Sequence, residues 1–346
     1  MSVTAEEYVN RIETKPGEYG ERQILPDSFR DTSRISPTIN RSEILVVAKK
    51  SKFLREQEKT DLSHSDHLAQ YSRLGESGDC VVSSHFRQEA AIELCAELFS
   101  LDQVVNIDDM GTALASGKFK AIIALGGDDF FKLVSNKMPQ STLLLGVNSD
   151  PTESRGFLLP VSIDELPAFI TLLERGVYSI EEWSRVRVSV NGVERGSAIN
   201  DIALGKKDFS LTSHFEVEYR GKQYSVASSG ILVSTGVGST GWFLNGGMYI
   251  NHDDRTFPRT AKKVAFELLT PLVKVSDVEG RRKITLPDLV EGELLEGEVL
   301  RVVSKNDDEA FIAKDSLDRV PFQRGTVAEV SLDPNPSKVI VKYHGE

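Results

Sequence analysis

The sequence predicts an α/β domain built on a parallel sheet, followed by a β-rich, antiparallel domain. Three observations carry this. Between residues 43 and 150 apolar strand-like blocks alternate with helix-like segments, the pattern of parallel sheets covered on both faces. After about residue 178 the pattern becomes short alternating segments, which read as antiparallel strands. Between them the strands end in Gly-rich and Asp-rich turns, where ligands of α/β sheets bind.

Residues 1–42 are polar with scattered Pro and Gly, and read as an extension. The α/β domain is expected over 43–175 and the β-rich domain over 176–346. The first strand is Glu43 to Ala48. Residues 54–75 are charged and helical in character. Residues 86–99 place Ala90, Ala91, Leu94, Cys95 and Leu98 near helical spacing. A short strand covers Gln103 to Ile107. Ala121 to Leu125 form a solid apolar run ended by Gly126 and Gly127, and Phe130, Phe131, Leu133 and Val134 then line one side of a helix. Residues 141–150 repeat the motif, a buried strand ending in Gly146-Val147-Asn148-Ser149-Asp150. In the second half, Val186–Val190 alternates. The stretch EVEYRGKQYSV reads as a hairpin turning near Arg220-Gly221-Lys222. Further strands are expected at 283–286, 299–303, 327–330 and 339–341.

Composition narrows the function. The chain has 346 residues, 40% hydrophobic and 27% charged, which suits a globular protein. It holds no apolar run long enough to span a membrane, and its acidic start, Ser2 to Glu7, does not resemble a signal or transit peptide. Two cysteines, Cys80 and Cys95, read as reduced core residues, and a cytoplasmic location is expected. A net charge of −11 disfavours nucleic acid as partner. It leaves room for a small phosphorylated ligand held by local donors and a metal ion. The six histidines show no zinc spacing.

Two turns carry chemistry. In Gly126-Gly127-Asp128-Asp129 the glycines let backbone approach a ligand. A carboxylate at a strand's carboxyl end can take a proton from a hydroxyl or hold nucleotide-bound magnesium. An ordinary turn with solvated aspartates is the plain alternative. The hexamer Gly236-Val237-Gly238-Ser239-Thr240-Gly241 fits G-x-G-x-x-G after the strand Ile231-Leu232-Val233. A dehydrogenase fingerprint, however, opens a βαβ unit and has an acidic residue about 20 positions on; this hexamer sits in the β-rich half without that context. Asn200-Asp201 interrupts an apolar strand, and such polar residues need partners or face a ligand. Arg185 and Arg187 fit a sheet-face role better than phosphate binding.

Taken together, Gly126-Gly127-Asp128-Asp129-Phe130, Gly156-Phe157-Leu158, Asn200-Asp201 and Ser234-Thr235-Gly236-Val237-Gly238-Ser239-Thr240-Gly241-Trp242 resemble, in order and spacing, the motifs of the NAD kinase family. The resemblance spans roughly residues 43–345 and looks most like the mitochondrial-type branch. It implies the NAD kinase/diacylglycerol kinase-like fold: a Rossmann-like α/β domain, then a β-sandwich-like domain, with the active site between them. It implies ATP-dependent phosphorylation of the 2′-hydroxyl of NAD to NADP with Mg2+, Asp128 taking the hydroxyl proton. In the same terms Asn200 and Asp201 hold ribose hydroxyls. Gly126, Gly127, Asp129, Phe157, Thr240, Gly241, Trp242 and Asn245 line the nucleotide site, and the protein is a homodimer or homotetramer. The motif departs from Gly-Gly-Asp-Gly-Thr at Asp129 and Phe130. Lys132 is near enough in sequence to offset the extra carboxylate, and Asp129 is a candidate second metal ligand. A kinase for another nucleoside or polyol, and a non-catalytic nucleotide-binding relative, remain as alternatives.

Overall fold

The computed structural model describes residues 36–246, 255–278, 281–307 and 309–343; most of the expected N-terminal extension lies outside them. Ser36–Tyr343 forms one unit. Its first sheet runs in the spatial order Val104–Val105, Ile44–Ala48, Ala121–Gly126, Leu143–Asn148, Ser337–Val341, Ser179–Trp183, with Val161–Ser162 beside Leu143–Asn148. The first four strands pair in parallel. Ile44–Ala48 and Ala121–Gly126 are buried at every position, because helices cover both faces of a parallel sheet.

The strand at 339–341 differs from expectation in its place rather than its type. Ser337–Val341 leaves the β-rich half and joins the first sheet, parallel to Leu143–Asn148 and antiparallel to Ser179–Trp183. Val339, Ile340 and Val341 are all buried, so the segment lacks the polar face that an outer sandwich strand needs. The helical residues 54–75 divide into Lys52–Gln57 and His64–Ser72, each opened by a serine whose hydroxyl accepts a backbone N–H. The helix expected at 86–99 starts earlier, as Glu76–Leu98. The strand expected at 103–107 shortens to Val104–Val105.

Two six-stranded antiparallel sheets follow, with a separate two-stranded sheet of Lys274–Val278 and Arg281–Thr285, the latter covering most of the strand expected at 283–286. One orders Lys222–Ser228, Ser213–Tyr219, Val299–Ser304, Val327–Leu332, Val186–Val190, Val193–Ala198; the other orders Glu291–Leu295, Lys263–Leu269, Gly230–Ser234, Asp201–Lys206, Ala310–Lys314, Asp318–Pro321. They pack face to face. Val186, Val188, Phe215, Val217 and Val302 of one meet Ile202, Leu204, Ile231, Val233 and Phe266 of the other in a single core, while Arg187 and Ser189 alternate outward. The hairpin turns on two residues, with Tyr219 opposite Lys222. Arg220 and Gly221 both take positive φ, 50° and 73°, the twist that two-residue hairpins require.

These elements bring three strand ends to one edge of the first sheet. Ala48, Gly126 and Asn148 finish adjacent strands, and the turns after them are tied by Lys49 N–H to Leu125 O (2.9 Å) and Ser149 N–H to Gly126 O (3.3 Å). No helix among the described residues is long and apolar enough to cross a membrane.

Candidate functional site

Gly127 caps the helix Asp128–Lys137, so Asp128 and Asp129 occupy its first turn and Lys137 its last. That charge order suits the helix dipole. Phe130, Phe131 and Val134 fasten the helix to the sheet. Phe130, the fifth residue of the divergent motif, is therefore a core residue and not a lining of the site. Asp128 stands at the helix start with each carboxylate oxygen accepting a backbone N–H, Leu158 at 2.8 Å and Phe157 at 3.1 Å. The pairing explains the Gly156-Phe157-Leu158 turn. Gly156 takes φ +58° and lies so close to Asn148 that a Cβ would meet its Nδ2 at 2.5 Å, so only glycine fits.

Asp129 points outward, 83% exposed, and pairs with Lys132 at 2.8 Å, as its position in the sequence suggests. Lys132 holds the Asp129 carboxyl below the usual carboxylate range. Lys49, at the end of the first strand, is half-buried; burial pushes its pKa down, Arg55 adds to this, and Asp129 and Asp150 oppose it. Arg87 on the long helix grips Asp150 with two nitrogens, at 2.6 and 3.3 Å, and Ser149 donates to Gln88 at 2.6 Å. The long helix thereby fixes the turn after Leu143–Asn148.

The Asn200-Asp201 pair opens the strand Asp201–Lys206. Asn200 Oδ1 is buried without a hydrogen-bond partner, and such an atom is costly unless something is bound there. Asp201 is 7% exposed. Burial, followed by the Asp315 charge, pushes its carboxyl up to about 7, against the pull of Lys132. Beneath the pair lies Asp315, which sequence reasoning missed. Its carboxylate accepts the N–H groups of Ile199 (3.0 Å), Asn200 (2.8 Å) and Asp201 (3.1 Å), and the side-chain amide of Asn136 (2.6 Å).

The glycine-rich loop packs against the same peptides. Thr235 N–H donates to Asn200 O (2.9 Å) and Thr235 Oγ1 to Ile199 O (2.5 Å). The same Oγ1 accepts from Val237 N–H (3.1 Å) and Gly238 N–H (3.3 Å). Added methyl carbons would meet Pro258 O at 2.0 Å on Gly236 and Asn200 O at 2.4 Å on Gly238, whereas Gly241 has its nearest neighbour at 3.4 Å. The first two glycines of the hexamer thus serve chain packing, and Gly241 alone has room beside it. Thr240 Oγ1 donates to Val237 O (3.3 Å) and Asn245 Nδ2 to Gly241 O (3.1 Å). Trp242 meets Phe209 edge-on.

Phe157, 57% exposed, is covered by Arg259. The guanidinium lies over the rings of Phe157 (4.8 Å) and Trp183 (4.7 Å) and donates to Phe157 O (2.8 Å). Burial lowers the Arg259 pKa, with Glu181 and Asp128 opposing. Arg259 also eluded sequence reasoning, because no spacing links it to the motifs; its neighbour Pro258 is what crowds Gly236. Arg185 and Arg187 are structural, as expected: Arg185 is buried on the carbonyls of Ser135 and Ser197, and Arg187 bonds Ser331. The structure therefore joins Asp128 with Phe157, and Asn200-Asp201 with the glycine-rich loop. Among the described residues no cluster of three or more His, Cys, Asp or Glu is arranged to hold a metal ion.

No family model matches the chain. It is 36% identical over 132 residues to NAD kinase 2 of Synechococcus sp., covering 36% of this chain and 42% of that one. It is 27% identical over 227 residues to the NAD kinase of Moorella thermoacetica, covering 64% and 66%. The chain spans about half the length of the first curated relatives it matches, 42%, 55% and 56%. Among solved structures it is similar to yeast NADH kinase complexed with NADH, with a TM-score of 0.54 at 14% identity, covering 70% of this chain and 66% of that one. It is also similar to an NAD kinase from Archaeoglobus fulgidus in complex with ATP, with a TM-score of 0.52 at 15% identity, covering 88% and 94%. The fold is the one these kinases share: a parallel α/β sheet followed by antiparallel β-rich sheets.

Proposed function

We propose that the chain is an NAD kinase-type phosphotransferase that moves the γ-phosphoryl group of ATP to the 2′-hydroxyl of NAD, giving NADP and ADP. The observation that carries this reading is the meeting of three parts in a fold that NAD kinases share: the Asp315 carboxylate bonds Asn136 of the helix that begins at Asp128 and the backbone N–H groups of 199–201, and Thr235 at the glycine-rich loop bonds the carbonyls of Ile199 and Asn200. Asp128 accepts the hydroxyl proton. Its two amide bonds fix the carboxylate in place and leave further lone pairs free. Asn200 Oδ1, unpartnered and buried, accepts a ribose hydroxyl. Phosphoryl transfer depends mostly on positioning and charge neutralisation, and Lys49, Lys132 and Arg259 supply positive charge around the carboxylates. Trp242, and Phe157 on the side of its ring away from Arg259, offer aromatic surface to the dinucleotide.

Magnesium binds through one or two carboxylates plus substrate phosphates. Asp129 fits that mode: one oxygen is on Lys132 and the side chain is 83% exposed. Held there with ATP, Mg2+ would neutralise charge on the β- and γ-phosphates. Resemblance to the mitochondrial-type branch, and a homodimer or homotetramer, belong to the same proposal.

The test is incubation with ATP, Mg2+ and NAD, with NADP read by a strictly NADP-dependent coupling enzyme. Turnover supports the reading. Stabilisation by NAD without NADP or ADP formation overturns it in favour of a binding-only relative. Activity on other nucleosides or polyols, but not on NAD, overturns it in favour of a different acceptor.

A further inference from the structure

We infer that Asp315 is the positioning residue of this site: its buried carboxylate fixes the helix bearing Asp128 against the Asn200-Asp201 turn and the glycine-rich loop. Asp315 is 1% exposed and takes φ +49°, with Ser316 following at +60°. Both residues lie in the turn that joins Ala310–Lys314 to Asp318–Pro321, closed by Leu317 N–H to Lys314 O at 2.9 Å, and paired positive φ is what such a tight turn requires. The turn buries the Asp315 carboxylate, which takes four hydrogen bonds.

Those bonds reach two separate parts of the site. Asn136, which donates at 2.6 Å, lies on the helix that begins at Asp128. Ile199, Asn200 and Asp201 donate their backbone N–H groups. Asp315 N–H returns a bond to Asp201 O at 2.9 Å. The third part is reached through the carbonyls of Ile199 and Asn200. These accept from the Thr235 hydroxyl and amide, and the same hydroxyl receives Val237 and Gly238 N–H. An anion on one side of a peptide chain and a donor on the other polarise the groups between them in the same sense, and linked bonds strengthen one another. Charge-assisted bonds are also the stronger kind. Asp315 therefore fixes the spacing between the proton acceptor and the loop, although it touches neither.

For its kinetic readout the inference rests on the kinase reading above; its spectroscopic readout does not. Asp315→Asn keeps the shape but removes the charge, and an amide has one accepting oxygen where four donors now converge. Asn136→Ala cuts the link from Asp315 to the Asp128 helix, together with the bond that Arg185 donates to Asn136 Oδ1 at 3.3 Å, leaves the three backbone bonds to Asp315 in place, and serves if the first variant does not fold. Backbone amide resonances of Ile199, Asn200, Asp201, Val237 and Gly238 are recorded for each variant, with KM and kcat for NAD and ATP. In Asp315→Asn the Ile199, Asn200 and Asp201 amides should move upfield as the charge-assisted bonds are lost, with Val237 and Gly238 shifting too. KM for NAD should rise tenfold or more, while KM for ATP stays within twofold. Asn136→Ala should shift Ile199, which shares the same carboxylate oxygen, and raise KM for NAD about threefold. Unmoved Val237 and Gly238 resonances in both variants overturn the inference, as does an unchanged KM for NAD in an active enzyme. If the wild type does not phosphorylate NAD, the kinase reading fails and the resonances alone decide the role of Asp315.

Discussion

Gly236→Ala and Gly241→Ala separate two explanations of the glycine-rich hexamer. In a phosphate-cradling loop, glycines are needed where backbone meets ligand, so either alanine would weaken binding and leave the empty protein's stability alone. The structure argues for a different division. A Cβ on Gly236 would stand 2.0 Å from Pro258 O, 2.6 Å from Pro258 C and 2.9 Å from Arg259 Cα, all backbone atoms. Ordinary carbon contacts lie at about 3.5 Å or more, so the two segments must part by over an ångström. Overpacking of this kind costs about 1–3 kcal/mol, and backbone on both sides places Gly236 at the upper end. At an unfolding entropy of about 2.1 cal/mol/K per residue, 1 kcal/mol moves the melting temperature of a 346-residue chain by about 1.4 °C, so Gly236→Ala should lower it by roughly 4 °C. Gly241 has only one neighbour within 4 Å, at 3.4 Å, so its alanine variant should melt within about 1 °C of wild type. Differential scanning fluorimetry without ligand, repeated with NAD, measures both. If Gly236→Ala melts with the wild type and loses only NAD-dependent stabilisation, the packing argument is wrong.

Asp128→Asn should abolish NADP formation, but it is not a silent knockout. Phe157 and Leu158 N–H groups bond different carboxylate oxygens, and in asparagine one of those atoms becomes an NH2 donor that cannot accept; leaving one N–H unpaired costs about 1–3 kcal/mol. The melting temperature should fall by several degrees along with activity; retained turnover in the coupled assay would remove Asp128 from its proposed role. Asp201 gives a pH signature. Its folded pKa, raised by burial and then by Asp315 to about 7, lies above the unfolded value of about 3.9. Its contribution is then complete below about pH 4 and lost as pH rises through about 7. Between pH 5 and pH 8 the wild type should lose several degrees more than Asp201→Asn, and parallel melting curves for the two would contradict the raised pKa.

How far the site can be read from the chain depends on the distance over which each part is built. Asp128 and Asn200-Asp201 are visible because one follows a strand end and the other interrupts an apolar strand, and those are local signals. The hairpin at Arg220-Gly221 is equally local. Gly156-Phe157-Leu158, between the strands Leu143–Asn148 and Val161–Ser162, is legible only through the resemblance to a family motif. Asp315 follows Ala310–Lys314 as an ordinary polar residue after a strand; nothing nearby reveals that its carboxylate reaches peptides more than a hundred positions away. Arg259 acts through rings at 157 and 183, and no spacing rule connects them. The 337–341 strand shows a related limit. Its apolar pattern specifies a strand buried on both sides, but the choice of sheet depends on the partners Leu143–Asn148 and Ser179–Trp183. For the glycines, the pattern names the residues without the reason: Gly236 and Gly238 are small because chain passes behind them, which only the tertiary contacts reveal.

Asp129 stands where the Gly-Gly-Asp-Gly-Thr motif that the sequence resembles has a glycine, and its charge has two opposed consequences. A carboxylate within about 4–5 Å of a phosphate repels it by roughly 3–4 kcal/mol at an effective dielectric of 20. Lys132, only 13% exposed and 2.8 Å away, cancels much of that. Burial works against the Lys132 ammonium, but Asp129, with Asp315 and Asp201, outweighs it and pushes the pKa up. The pair is then nearly neutral to an incoming nucleotide, and the free oxygen of Asp129 can face a metal ion that ATP brings. Asp129→Gly removes an exposed partner from a pair worth about 0–1 kcal/mol and places glycine in a helix's first turn at a cost of about 1 kcal/mol, so the protein should stay folded. If Asp129 supports Mg2+, the concentration giving half-maximal activity should rise threefold or more in the variant. If its charge only repels phosphate, Lys132 is released, KM for ATP falls and the Mg2+ dependence does not change. We expect the first result; the second would mean that the aspartate is tolerated because of Lys132 and contributes nothing to the reaction.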